Sequence, residues 1–134
     1  RLRQAAKLQG DDPETRFALA TALTHLGDYG AAAEQWLELV RLQPRRADGW
    51  INLAVTLGRS GRGGEAIGAL TRAVELAPGR ADLRLQLALA HRAAGDLEAA
   101  KIALLGALAV APELRPRIEA DPGLAALLRS EPNP

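Results

Sequence analysis

The sequence predicts an all-α protein built from a row of similar helical hairpins. Pro44, Pro78 and Pro112 are equally spaced, since 78 − 44 = 34 and 112 − 78 = 34, and a fixed period of this length is typical of helical repeats. Between these prolines Leu and Ala recur at three- and four-residue spacing, which places one apolar stripe along each helix. No segment has the β-branched, alternating pattern of a strand.

Alignment on the prolines gives three complete units, 13–46, 47–80 and 81–114. The middle unit shows the recurring positions most clearly, and they are Trp50, Leu53, Ala54, Leu57, Gly61, Ala66, Leu70, Ala73 and Pro78. We expect Trp50 to be buried, and Arg16 and Arg84 at the equivalent position to weaken local packing. The small alanines predict a close approach of the paired helices.

The expected helices are bounded by residues that start or stop helices. Glycine such as Gly61 suits the left-handed end of a first helix, and proline ends the second helix. Asp12-Pro13 and Asp121-Pro122 read as an N-cap followed by proline in the first turn. The predicted helices are 14–26, 30–42, 48–60, 64–77, 82–94 and 97–111.

The segments outside the three units continue the pattern. Residues 1–12 resemble the second helix of a truncated preceding repeat, because Ala5 and Leu8 lie 34 positions before Leu39 and Leu42. Residues 115–129 are expected to form two short capping helices over the last apolar face, as helical repeat arrays require. We expect the tail 130–134 to be disordered.

Composition excludes several classes of function. The net charge of +1 gives no global field for nucleic acid or for an anionic membrane. No apolar run approaches the ~18 residues of a membrane-spanning helix, and no leader is visible. The chain starts at Arg1 and contains 0 methionines, which indicates a piece of a longer protein. A cytoplasmic location is favoured and a periplasmic one stays open, because many periplasmic proteins also lack cysteine.

No motif in the chain predicts catalysis, a metal or a cofactor. The run 59–64 is rich in Arg and Gly but follows a helix and lacks the Gly-Lys-Ser/Thr ending of a phosphate loop. His25 and His91 stand in different repeats with no second ligand at metal-binding spacing. Ser60 and Ser130 have no base nearby in sequence, so a nucleophilic site is not expected.

The three in-register units resemble the tetratricopeptide repeat family, and the resemblance covers about four-fifths of the chain. It implies a right-handed α-solenoid of three tetratricopeptide helix-turn-helix repeats, with a preceding half-repeat helix and C-terminal capping helices. It also implies a concave groove, lined by the first helix of each repeat, that binds a partner protein or peptide. The groove residues expected from this frame are Phe17, Thr21, His25, Ile51, Asn52, Val55, Arg59, Leu85, Gln86, Leu89 and Arg92.

The chemistry of these positions predicts an apolar strip of Phe17, Ile51 and Leu85 between an acidic and an arginine edge. The strip is either exposed surplus surface, which marks a binding site, or part of the core. The acidic edge consists of Glu14, Asp48 and Asp82. These residues either stabilise helix N-termini or select basic ligands. Of the positions that hold two-carboxylate chaperone tails in the family, only Asn52 fits, so that ligand is not expected.

The leading functional hypothesis is a non-enzymatic scaffold or adaptor that binds a peptide segment or a helix of a partner protein. The first alternative is a substrate-presenting region of a larger enzyme, such as a glycosyltransferase, in which related repeats also occur. The second alternative is a self-association module, in which the chain forms a homo-oligomer.

Overall fold

The computed structural model describes residues 12–130, and within this range all regular structure is helical. The predicted all-α fold class of packed helix pairs is confirmed. The described part forms two compact units, one ending at Leu76 and one beginning at Ala77. The expected helix within residues 1–12 lies outside the described residues except for Asp12, and the expected disordered tail lies outside them except for Ser130.

The first unit contains two antiparallel helix pairs. Its helices are α1 (Pro13–His25), α2 (Tyr29–Leu42), α3 (Ala47–Arg59) and α4 (Gly63–Leu76). Helix α2 packs against both α1 and α3, and α3 packs against α4. The core of the unit is therefore a continuous row of Leu and Ala side chains, which includes Leu19, Ala20, Ala32, Leu39, Leu53, Leu57, Leu70 and Ala73.

The second unit contains one helix pair and a cap. Helices α5 (Ala81–Ala93) and α6 (Leu97–Val110) form the pair, and a 3-10 turn (Pro112–Leu114), α7 (Arg115–Glu119) and α8 (Pro122–Arg129) follow. Ile118, Leu124 and Leu127 join the core cluster of this unit together with Ala88 and Leu104. The short helices thus cover the apolar face of the pair, as the sequence predicts.

The turns within the pairs depend on glycine. Gly27, Gly61 and Gly95 follow the first helices with φ of 79°, 81° and 85°, in the left-handed region where a Cβ is unfavourable. The side chains of Asp12 and Asp121 accept hydrogen bonds from backbone N–H groups at the starts of α1 and α8. The two predicted Asp-Pro helix starts are therefore confirmed.

One of the two tryptophans differs from expectation. Trp36 on α2 is only 2% exposed, whereas Trp50, which the repeat pattern predicts to be buried, is half-buried. The reason is that the Trp50 indole N–H turns outward and donates to the Pro44 carbonyl at 2.8 Å. Arg84, one repeat later, donates through Nε to the Pro78 carbonyl at 3.0 Å, so arginine at this position makes the same backbone contact as Trp50.

Trp36→Ala should therefore destabilise the fold more than Trp50→Ala. Truncation of the fully buried ring leaves a cavity and should cost about 3–5 kcal/mol, while loss of the half-buried ring and its single hydrogen bond should cost about 2 kcal/mol. Urea unfolding followed by circular dichroism measures both values. A larger loss for Trp50→Ala would show that the core is centred elsewhere.

Gly61→Ala and Gly58→Ala should change stability in opposite directions. A Cβ at either position would meet nothing within 4 Å, so packing does not separate the two variants. Gly61 has positive φ, so alanine there should cost roughly 1–2 kcal/mol. Gly58 lies inside α3, where alanine should gain about 0.5 kcal/mol. Thermal unfolding midpoints that move in the same direction would contradict this assignment of the turn.

Candidate partner-binding site

Three of the expected groove residues lie along one face of α1. Phe17, Thr21 and His25 are four residues apart, so their side chains occupy successive turns of the helix. His25 is exposed and Phe17 and Thr21 are half-buried. The Thr21 hydroxyl donates to the Phe17 carbonyl at 2.8 Å, which satisfies it within the helix. The open part of this row is therefore its His25 end.

Phe17 is held by two contacts within the first unit. The Trp36 ring meets it edge to face, with 5.0 Å between the ring centroids. The guanidinium of Arg46 lies 4.6 Å from the Phe17 centroid. Because each such contact contributes roughly 0.5–1 kcal/mol, Phe17 stabilises the unit as well as lining its surface, and only part of its ring is open to a partner.

Arg46 connects the beginnings of α1 and α3. Its guanidinium donates to Glu14 at 2.9 Å, to Asp48 at 2.8 Å and to Gln43 at 2.9 Å. Sequence reasoning did not assign this residue a role, because Glu14 lies 32 positions away and the pairing depends on the packing of α2 against α3. A shallow open depression adjoins these groups, and it is lined by Glu14, Gln43, Pro44, Arg45 and Arg46.

Two further exposed residues of the expected groove, Val55 and Arg59, lie on α3. Ile51, Val55 and Arg59 are again four residues apart, and their exposure increases along the helix from half-buried Ile51 to exposed Arg59. Val55 is 39% exposed, and Asn52 is half-buried beside it. This row, which we name the α3 row, presents two apolar side chains followed by a cation.

Most of the expected residues of the second unit already make contacts within that unit. Leu85 and Leu89 pack against the core cluster of α5, α6 and the cap. Gln86 is exposed. Arg92 lies 3.6 Å from Asp121, the N-cap residue of α8, so this arginine holds the cap and is partly neutralised. The Leu124 N–H donates to Asp121, and together with Gly123 N–H and Arg92 it lowers the pKa of that carboxyl.

The acidic edge predicted from the sequence is paired with arginine. Arg46 binds Glu14 and Asp48, and Arg80 binds Asp82 at 2.6 Å. The hydrogen bond from Arg80 lowers the pKa of Asp82. Carboxylates with such partners offer less free charge to a basic ligand, so the structure favours the reading in which these residues stabilise helix N-termini.

Within residues 12–130, no group of three or more His, Asp or Glu side chains is placed to hold a metal ion. Among the helices of the same range, none is both long and apolar enough to cross a bilayer.

Two family profiles described as tetratricopeptide repeat match the sequence. One matches residues 1–48 and 17–81, and the other matches residues 59–128. The chain belongs to the tetratricopeptide repeat family. A search of curated proteins gave no significant match.

Solved structures with the same fold include other tetratricopeptide repeat proteins. The crystal structure of MamA is 22% identical with a TM-score of 0.77, covering 94% of this chain and 77% of that chain. The Yersinia enterocolitica type III secretion chaperone SycD, in complex with a peptide of the translocator YopD, is 19% identical with a TM-score of 0.69, covering 89% and 91%. PcrH, in complex with the chaperone binding region of PopD, is 20% identical with a TM-score of 0.65, covering 85% and 80%.

Within the tetratricopeptide frame, a second residue on the surface, besides Arg46, was missed by sequence reasoning. Tyr29, the only tyrosine of the chain, begins α2 and contacts Arg59 of the next repeat. Two features of the sequence could have pointed to Tyr29. It is the only tyrosine, and it lies 30 residues before Arg59, a spacing slightly shorter than one repeat that places two residues on neighbouring hairpins. Sequence spacing alone does not show that the two side chains meet.

Replacing Arg80 should raise the pKa of Asp82. In the folded chain this pKa is lowered, so the carboxylate contributes stability above the ordinary aspartate pKa and loses it as the pH falls through the lowered value. In Arg80→Gln the Asp82 titration should move up toward the ordinary value, and in Arg62→Gln, a control within the first unit, it should not move. Carbon-detected NMR titration of the side-chain carboxyl reads this directly, and an unchanged midpoint in Arg80→Gln would disprove the pairing.

Proposed function

We propose that the chain is a protein-interaction module that holds a peptide segment or a helix of a partner protein on the first helices of its repeats. The α3 row carries this proposal, because it exposes apolar surface that the fold does not use. The core of the unit is already filled by Leu53, Leu57 and Leu70, whereas Val55 points away from that core. Exposed apolar side chains beside polar and charged ones are typical of binding surfaces.

The related structures support the same reading. SycD and PcrH are proteins of this fold that were solved with bound segments of their partners. Their identity to this chain is low, so they support the binding of a protein segment by this fold and not the identity of a partner. In the proposal, an extended or helical segment lies against the first helices, and within each unit the second helices support them.

Catalysis forms no part of the proposal. The two serines use their hydroxyls locally, because Ser60 donates to the Leu57 carbonyl at 3.0 Å and Ser130 to the Leu127 carbonyl at 2.8 Å. Neither serine is hydrogen-bonded to a base that could activate it. Binding is therefore the activity that this surface supports best.

Polar substitution of Val55 should weaken partner binding, and the same substitution of Val110 should not. Val55 and Val110 are a matched pair, 39% and 40% exposed, but Val110 ends α6, the second helix of its pair. Peptides selected from a random display library on the whole chain supply the ligands, and fluorescence anisotropy measures their affinity. Val55→Gln should weaken binding by roughly tenfold or more, because a central apolar contact is lost.

Circular dichroism should show both valine variants folded, since neither side chain is buried. Equal affinities of the selected peptides for Val55→Gln and Val110→Gln would place the working surface away from the α3 row. Failure of the library to yield any binding peptide would contradict the proposed function itself.

A further inference from the structure

Arg59 differs from the other arginines of the surface in its partner. Its Nη1 donates to the Tyr29 hydroxyl at 3.0 Å, and its guanidinium carbon lies 5.5 Å from the Tyr29 ring centroid. Among residues 12–130 no carboxylate forms an ion pair with Arg59, whereas Arg62, in the turn before α4, binds Glu65 at 2.6 Å. Arg59 thus presents an exposed positive charge that the described fold orients but does not neutralise.

The contact with Tyr29 fixes where that charge lies. An arginine side chain loses about 2 kcal/mol of rotamer freedom when it is immobilised, and part of this loss has already occurred in the free protein. The remaining N–H groups of the guanidinium form a planar fork, which matches the two oxygens of a carboxylate. Such an arrangement favours binding because the partner does not have to order the arginine first.

The charge lies at the end of the α3 row. Val55 and Arg59 are four residues apart and therefore share one face of α3, about one helical turn from each other. Ile51 lies one turn before Val55 on the same face. A segment that places apolar side chains against Ile51 and Val55 consequently brings its next turn or its next two residues beside Arg59.

We propose that Arg59, held by Tyr29, binds a carboxylate side chain of the partner segment, so that the recognised segment carries Asp or Glu a few residues from its apolar anchor. This inference rests on the proposed function and names the chemistry of the partner. A single unpaired guanidinium balances the single negative charge of a carboxylate. A phosphate carries up to twice that charge, and the neighbouring Arg62 is already occupied by Glu65.

The pairing of Arg59 with Tyr29 belongs to one junction between repeats. The positions equivalent to Arg59 are His25 and Ala93, and those equivalent to Tyr29 are Gly63 and Leu97. Neither Gly63 nor Ala93 can supply a ring or a cation. We therefore expect the acidic residue of the segment to bind at the α3 row and not at the corresponding position on α5. This contact would fix the orientation of the segment along the first unit.

Parallel selections from a random peptide library test the proposal, using the whole chain as wild type, Arg59→Gln and Arg62→Gln. Peptides selected on the wild type should be enriched in Asp or Glu at one fixed spacing from an apolar residue. The enrichment should persist on Arg62→Gln and disappear on Arg59→Gln, while all three proteins remain folded by circular dichroism. Enrichment that survives in Arg59→Gln would overturn the proposal.

A double-mutant cycle on one selected peptide then identifies the pair. Replacing the acidic residue of the peptide by its amide, or Arg59 by Gln, should each weaken binding about tenfold. The two changes together should cost little more than either alone, because they remove the same contact. Independent, multiplicative losses would show that the carboxylate binds elsewhere. Tighter binding of a version with phosphoserine at that position would overturn the assignment to a carboxylate.

The outcomes separate this inference from the proposed function. Peptides that lose affinity with Val55→Gln but show no dependence on Arg59 would retain the α3 row as a binding surface and refute the carboxylate contact. A library that yields no binding peptide on the wild type would refute both. Tyr29→Phe keeps the ring and removes the hydroxyl, so it should weaken the acidic preference less than Arg59→Gln does.

Discussion

Small residues at the contacts between paired helices are the constraint on which the rest of the structure depends. Ala20, Ala32, Ala88 and Ala100 are fully buried, so the backbones of each pair approach closely, and a larger side chain would push them apart. The short turns with left-handed glycine make the helices antiparallel and keep these alanines in register. Once the helix axes are fixed in this way, the space left for large apolar side chains is defined, and Trp36 fills it in the first pair.

The same constraint explains why α3 carries apolar side chains that do not pack in the core. Helix α3 buries its Leu–Ala stripe, which is Leu53, Ala54 and Leu57, in the core of the first unit. The α3 row lies on a different face, so its apolar members gain no core contact of comparable extent. Val55 and the outer part of Ile51 remain in contact with water, and a partner segment is what would remove them from it.

Sequence reasoning predicted the fold more completely than the site. All six main helices begin and end within one residue of the predicted bounds, because caps, glycines and prolines are local signals. The surroundings of individual side chains are not local. Whether Phe17 is exposed or part of the core was left open by the sequence, and Arg46, 29 positions away, covers one face of its ring. Trp50 was expected to be buried, but a hydrogen bond to the Pro44 carbonyl holds it at the surface.

The two arginines of the expected groove show most clearly why the pattern alone did not define the site. Arg59 and Arg92 were assigned one role, a positive edge, since both end a first helix. The cap that follows the last repeat supplies Asp121, and this carboxylate pairs with Arg92. No equivalent carboxylate pairs with Arg59 among the described residues, and Tyr29 takes its place. An arginine that is already neutralised adds little to the field that a partner meets, whereas an oriented and unpaired one adds most of it. Of the two arginines of the expected groove, Arg59 is therefore the one whose charge stays available to a partner in the proposed binding mode.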